Sequence, residues 1–120
     1  MTRREFTRKI SELLLEMIEA GEEPVLDYVL RSTTGQKEMF DRGVSGCDGT
    51  VKKSSHQSAK AADIYLVEYN SSGKPYVQYD WDTAKARLWH DRWVRMGGRG
   101  MIVFKNKDGK QLEDRPHFQG

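Results

Sequence analysis

The sequence predicts an α+β fold, a small and mostly antiparallel sheet of about four strands with helices packed on it. Three observations predict it. Apolar residues recur every three to four positions near the N-terminus. Two mid-chain β-prone stretches, the first of them alternating, flank a glycine-containing turn. A second helical stripe follows them, and short β-prone runs close the chain. At 120 residues the whole reads as one domain, residues 1–120, long enough to bury a core without disulfide support.

Phe6, Ile10, Leu13, Leu14, Met17 and Ile18 mark one face of a first helix, with Gly21 as its stop. Pro24 opens a short β-prone run, Val25-Leu26-Asp27-Tyr28-Val29-Leu30, that ends at Arg31-Ser32. Thr33-Thr34-Gly35-Gln36 has a capping-box pattern, which predicts a short helix over residues 34–42. Residues 43–55 carry three glycines, three serines and no periodicity, so they form a long loop that leads directly to His56. Residues 61–69 and 74–81 are strands joined by Asn70-Ser71-Ser72-Gly73. Alternation in the first puts Ile64 and Leu66 on one face and Asp63, Tyr65 and Val67 on the other. Asp82 and Thr83 cap a helix whose Ala86, Trp89, Trp93 and Met96 share a stripe, and Gly97-Gly98 ends it. Residues 101–104 form another strand, Asn106-Lys107-Asp108-Gly109 a turn, and the tail a final strand.

Composition bounds the function. Twenty basic residues against eighteen acidic give a net charge of +2, too slight to argue for nucleic acid. No apolar run reaches the ~18 residues of a membrane span, and the charged N-terminal pattern predicts no secretory signal peptide. The single cysteine, Cys47, excludes an internal disulfide framework and a multi-cysteine zinc site. It reads as a free thiol in a loop. The spacing of Trp89 and Trp93 favours core roles over sugar stacking. His90, among polar neighbours, reads as exposed, and Lys52-Lys53 as a solvated pair beside the loop.

Chemistry concentrates in two segments. Ser54-Ser55-His56-Gln57-Ser58-Ala59-Lys60-Ala61-Ala62-Asp63 and Glu113-Asp114-Arg115-Pro116-His117-Phe118-Gln119 together offer two imidazoles and a carboxylate as metal ligands, plus a spare carboxylate three residues before the second imidazole. A catalytic zinc site needs three protein ligands and a nearby base, with the fourth position left for water. The six residues between His56 and Asp63 match neither helical nor zinc-finger spacing, so spacing alone does not identify the site.

The content of the segments does more. Ser54-x-His56-x-x-Ala59-x-Ala61-x-Asp63 resembles the Ser-x-His-x-x-Gly-x-Ala-x-Asp signature of zinc D-alanyl-D-alanine carboxypeptidases, dipeptidases and the related L-alanyl-D-glutamate endopeptidases of phage lysins. Asp114-Arg115-Pro116-His117-Phe118 resembles the same family's second signature, and Arg31, Gln36 and Gly43-Val44-Ser45 the region before the first. The resemblance runs from about Val25 onward and implies a hedgehog/DD-peptidase-like fold. It also implies roles: His56, Asp63 and His117 as ligands of Zn²⁺, and Asp114 as the general base that takes a proton from the attacking water and returns it to the leaving amine. Arg31 would hold a substrate carboxylate or carbonyl, Gln36 would join the substrate-binding set, and Ser54 would support the site through a hydrogen bond.

Two departures from the pattern bear on this. Ala59 occupies the usual glycine position, where a methyl group is tolerated only at negative φ. Gln119 stands where glutamate is common. Strict alternation would also place Asp114 and His117 on opposite faces, so Pro116 must break it. Glu113, the adjacent carboxylate, would then point elsewhere.

The resemblance implies a metallopeptidase that cuts an amide bond in peptidoglycan stem peptides, either as a phage or prophage endolysin made in the cytoplasm without a signal peptide and released through a holin, or as a cytoplasmic dipeptidase or carboxypeptidase. The alternative is an inert, zinc-stabilised module of the same fold that binds cell wall or protein. Specificity would lie in the loop of residues 43–55 and the turn of residues 70–74.

Overall fold

In the computed structural model, which describes residues 1–27 and 29–120, the N-terminal periodicity becomes helix α1 (Arg3–Glu19). Thr2 caps it by accepting from the Glu5 backbone N–H, while the Glu5 carboxylate returns a bond to the Thr2 N–H at 2.6 Å. Phe6, Ile10, Leu13 and Met17 are buried along one stripe; Ile18 lies off it and is exposed.

Strand β1 (Pro24–Leu26) is shorter than the run that foreshadows it; Tyr28, inside that run, lies outside the described residues. Helix α2 (Thr33–Asp41) starts one residue earlier than the capping pattern predicts, because Ser32 is the cap and accepts from the Gly35 N–H. A 3₁₀ turn (Ser55–Ser58) follows the long loop, then β2 (Ala61–Tyr69), β3 (Pro75–Gln78), α3 (Thr83–Arg95), β4 (Ile102–Lys105), β5 (Gln111–Asp114) and β6 (His117–Gln119). This is a small α+β fold. No described helix is long and apolar enough to cross a membrane.

Strand β2 organises the four-stranded sheet, in which every pairing is antiparallel. β1 pairs its middle, β3 its second half, and β6 its first three residues. The tail is therefore not one strand. β5 pairs with β4 in a separate two-stranded ribbon, and at Arg115-Pro116 the chain leaves that ribbon for β2. Proline has no N–H for a ladder, so the break falls where the partner changes.

The core lies between one face of this sheet and helices α1 and α3. Ala62, Ile64 and Leu66 from β2 and Phe118 from β6 meet Phe6, Leu13 and Met17 from α1 and Ala86, Trp89 and Trp93 from α3. Two indoles also satisfy their N–H groups on the sheet: Trp81 donates to the Ile64 carbonyl and Trp93 to the Gln119 carbonyl, each at 2.8 Å. The tryptophans are core residues, as their spacing predicts.

His90 is not exposed; only 4% of its surface is accessible. Its ring stacks on Phe118, with centroids 4.1 Å apart and planes 4° from parallel, and its Nε2–H donates to the Arg115 carbonyl at 2.7 Å. Local sequence misses this because the burial comes from β6, which returns across α3 from far along the chain.

Candidate metal centre

Asp63 and His117 are cross-strand partners, the last pair of the β2–β6 ladder. Directly paired residues project to the same face. The neighbouring pair, Ala62 and Phe118, faces the core, so alternation sends Asp63 and His117 to the opposite face. His56 reaches the same point from the 3₁₀ turn just before β2. All three side chains are buried.

Their inward atoms form a tight triangle. His56 Nε2 lies 3.0 Å from His117 Nδ1 and 3.1 Å from Asp63 Oδ1, and His117 Nδ1 lies 3.5 Å from Asp63 Oδ1. The outward atoms explain which atoms point in. His56 Nδ1 sits 3.2 Å from the Val29 carbonyl and must donate to it. His117 Nε2 sits 3.1 Å from Gln119 Oε1 and must donate to that amide oxygen. With both rings neutral and their protons outside, two nitrogen lone pairs and a carboxylate oxygen converge, a set that one cation can share. Tetrahedral ligands at zinc distances of ~2.0–2.1 Å are about 3.3 Å apart, close to these separations. The buried His-Asp-His group could hold a metal ion.

Burial pushes the Asp63 carboxyl upward, but the adjoining His117 and His56 imidazoles favour its ionised form, outweigh burial and hold its pKa below the usual range. For His117, burial favours the neutral ring, while Asp63 and Asp114 raise its pKa overall. The second Asp63 oxygen is also engaged: Arg31 Nη2 donates to Oδ2 at 3.2 Å. Carboxylate orientation is thus fixed from behind, with Oδ1 left for a metal.

Asp114 ends β5 and projects into the same cavity, its Oδ2 3.9 Å from His117 Nδ1. The Arg115-Pro116 turn breaks the alternation that would have separated the two, as the sequence demands. Burial raises the Asp114 pKa and the Asp63 carboxylate adds to the rise, against the pull of His117, His56 and Arg31. Glu113 points outward and binds Arg115 at 2.9 Å.

The remaining sequence-predicted residues divide. Ser54 lines the cavity and caps the 3₁₀ turn, its Oγ accepting from the His56 N–H at 3.3 Å. Arg31 lines the cavity too, but besides Asp63 it binds Gln36 Oε1 at 2.7 Å, and its backbone N–H donates to the His56 carbonyl. Gln36 is fully buried and absent from the cavity wall; its amide also holds Ser45 Oγ and the Cys47 carbonyl. It braces Arg31 and the loop, where the resemblance would have it among substrate contacts. Gly49 lets the loop close over it: φ is +92° and a Cβ would stand 3.2 Å from Gln36.

Ala59 overturns the expectation of negative φ. It ends the 3₁₀ turn in the left-handed region at φ 54°, ψ 38°. This kink separates His56 from β2, so the chain can bring His56 back against Asp63. Gln119 accepts from both His117 and the Ser55 hydroxyl, the latter at 2.9 Å, and so does the bracing that a glutamate would do.

The cavity, about 400 Å³, takes its walls from the loop, including Cys47, Lys52 and Lys53, and from Tyr65, Arg99, Ile102, Val103 and Phe104. Burial raises the Cys47 thiol pKa, which opposes a thiolate role. Burial also raises Tyr65 to about 12. Alternation from Asp63 already put Tyr65 on this face; the ribbon residues and Arg99 carried no local signal. The turn of residues 70–74 does not line the cavity. Compared with known proteins, the chain matches no family model and no curated protein.

Proposed function

We propose that the chain is a zinc-dependent peptidase that hydrolyses an amide bond in peptidoglycan stem peptides, on a fold of the hedgehog/DD-peptidase kind. The observation that carries this reading is the convergence of two imidazole lone pairs and a carboxylate oxygen, with a second carboxylate, Asp114, 3.9 Å from His117 Nδ1 in an open cavity. Two imidazoles and one carboxylate suit zinc among the common divalent ions. His56, Asp63 and His117 would hold it, and when bound it polarises a carbonyl and makes water a better nucleophile near neutral pH.

The chain's own groups supply the rest. Asp114, with its raised pKa, accepts a proton from the attacking water at its carboxylate and returns it to the amine that leaves. Asp63, tied through its second oxygen to Arg31, stays ionised and in place. Val29, Gln119 and Ser55 fix which nitrogen each imidazole presents. The inert binding-module reading would need a site without a base, and Asp114 stands against it.

The test is digestion of purified bacterial peptidoglycan by zinc-loaded protein, with new amino groups counted and the muropeptides identified by mass spectrometry. We expect about one zinc per chain, amine release that stops with chelator and returns with zinc, and a cut within the stem peptide. Stoichiometric zinc with no amine released would establish the binding module instead.

A further inference from the structure

Asp114 and His117 face one cavity from two different sheets, and only Arg115 and Pro116 stand between them. Those two residues belong to neither ladder. We infer that Arg115 is the positioning residue for Asp114: its guanidinium locks the end of the β4–β5 ribbon to the strand that carries Asp63. Its effect on turnover rests on the peptidase reading above.

The lock is a closed ring of hydrogen bonds. Ile64, next to Asp63 on β2, donates its N–H to the Pro116 carbonyl at 2.8 Å. Its own carbonyl accepts from the Trp81 indole N–H, also at 2.8 Å. The Trp81 carbonyl accepts in turn from Arg115 Nη1 at 2.7 Å, and the peptide bond between Arg115 and Pro116 closes the circuit. From the same guanidinium, Nη2 donates to Glu113 Oε1 at 2.9 Å and Nε to that oxygen at 3.3 Å. One planar fork therefore grips β5 on one side and buried Trp81 on the other. His90 also holds this turn, but it reaches the Arg115 carbonyl and not β5. Lys107 ties the ribbon to the Asp41 carbonyl from the hairpin turn, the end away from Asp114. Glu113 is exposed and Arg115 half-buried, so their ion pair adds little to global stability. What the fork fixes is the place of the residue between them, Asp114.

The experiment uses the zinc-loaded full chain and Arg115→Ala, each with and without Asp114→Asn. In hydrogen–deuterium exchange read by mass spectrometry, Arg115→Ala should speed the amides of β4 and β5 roughly tenfold and leave those of β2 unchanged. Amine release from a soluble muropeptide should fall roughly tenfold or more in kcat with little change in KM, because the metal ligands stay in place. In the Asp114→Asn background the same substitution should cost no further rate, since an effect that acts through Asp114 disappears with it. Unchanged ribbon exchange, or an equal loss of rate in both backgrounds, would overturn the inference. If Arg115→Ala does not fold, Arg115→Lys takes its place: it keeps the charge and the aliphatic stem but lacks the fixed fork, and the same results apply. The two readings fail separately. A native chain that releases no amine sinks the peptidase, and ribbon exchange then decides the lock by itself; native turnover that Arg115→Ala leaves intact sinks the lock alone.

Discussion

The two halves of the candidate site are built to different standards of rigidity. The ligand half hangs on β2 and β6, whose opposite faces carry Ala62, Ile64 and Phe118 into the core. The other half, Asp114, the proposed base, sits at the end of a two-stranded ribbon that joins no other sheet among the described residues. A ligand triangle must hold its geometry to a few tenths of an ångström, so it belongs where packing forbids drift. An isolated two-stranded ribbon has little stability of its own and follows what it touches. Metal retention and proton transfer should therefore be separable by mutation.

The largest expected effects test that separation directly. His56→Ala removes one of the three converging lone pairs and should abolish stoichiometric zinc binding, measured by metal analysis after gel filtration. Asp114→Asn should keep one zinc per chain yet lower the rate of amine release by ~10²–10⁴-fold, the usual worth of a general base. An Asp114→Asn protein that loses its zinc would show that the ribbon helps to build the triangle, and the two halves would be one.

Next in size is the support behind His117. Gln119 Oε1 receives the Nε2–H and so holds Nδ1 toward Asp63. Gln119→Ala should weaken zinc binding by about 10–100-fold, the usual cost of removing such a partner, as read by competition with a chromogenic chelator. Gln119→Glu, which keeps an acceptor oxygen, should retain most of the affinity. Equal losses in both variants would mean that shape at this position matters more than the hydrogen bond.

Why some of this was legible in sequence follows from the range of the forces involved. β2 and α3 are set by local alternation and by the Asp82 cap, and both stand where the pattern puts them. Asp63 was placed on the correct face by period alone. The split of the tail into β5 and β6 is foreshadowed only by Pro116, because which sheet each piece joins depends on partners elsewhere in the chain. The same holds for Arg99 in the cavity wall and for buried His90. The bracing by Gln36 leaves no local signal, because its partners, Arg31, Ser45 and Cys47, meet it only after the loop folds over α2.

His90 gives a smaller, pH-dependent effect on the core side of β6. Burial lowers its pKa below the ordinary ~6.5, although the bond to the Arg115 carbonyl opposes this. With Nε2–H donated to that carbonyl, Nδ1 is left buried without a hydrogen-bond partner. Below pH ~6.5 the unfolded chain takes up a proton that the folded chain resists, so stability from this residue is complete above that pH and lost as pH falls toward the lower folded pKa, at no more than ~1.4 kcal/mol per pH unit. Urea unfolding of the native chain and of His90→Gln between pH 7 and 5 should show a shallower fall for the variant. Parallel curves would mean that His90 does not stay neutral in the fold.

The smallest effect is expected at Ala59, and its smallness is informative. The left-handed conformation costs an L-residue roughly 1–2 kcal/mol, which Ala59→Gly would relieve. Glycine, however, loses about 0.5–1 kcal/mol more in conformational freedom on folding. The Ala59 methyl is also buried, and removing it forfeits ~0.8 kcal/mol of transfer energy. The terms nearly cancel, so Ala59→Gly should shift Tm by no more than a few degrees and leave zinc affinity unchanged. Ala59→Val keeps and enlarges the apolar side chain but adds a β-branch that the left-handed region rejects. It should destabilise the fold clearly and weaken zinc binding as well, because the kink at Ala59 is what returns His56 to Asp63. A valine variant with native stability and native zinc affinity would mean that the backbone at this position is not left-handed, and the path from the 3₁₀ turn into β2 would have to be different.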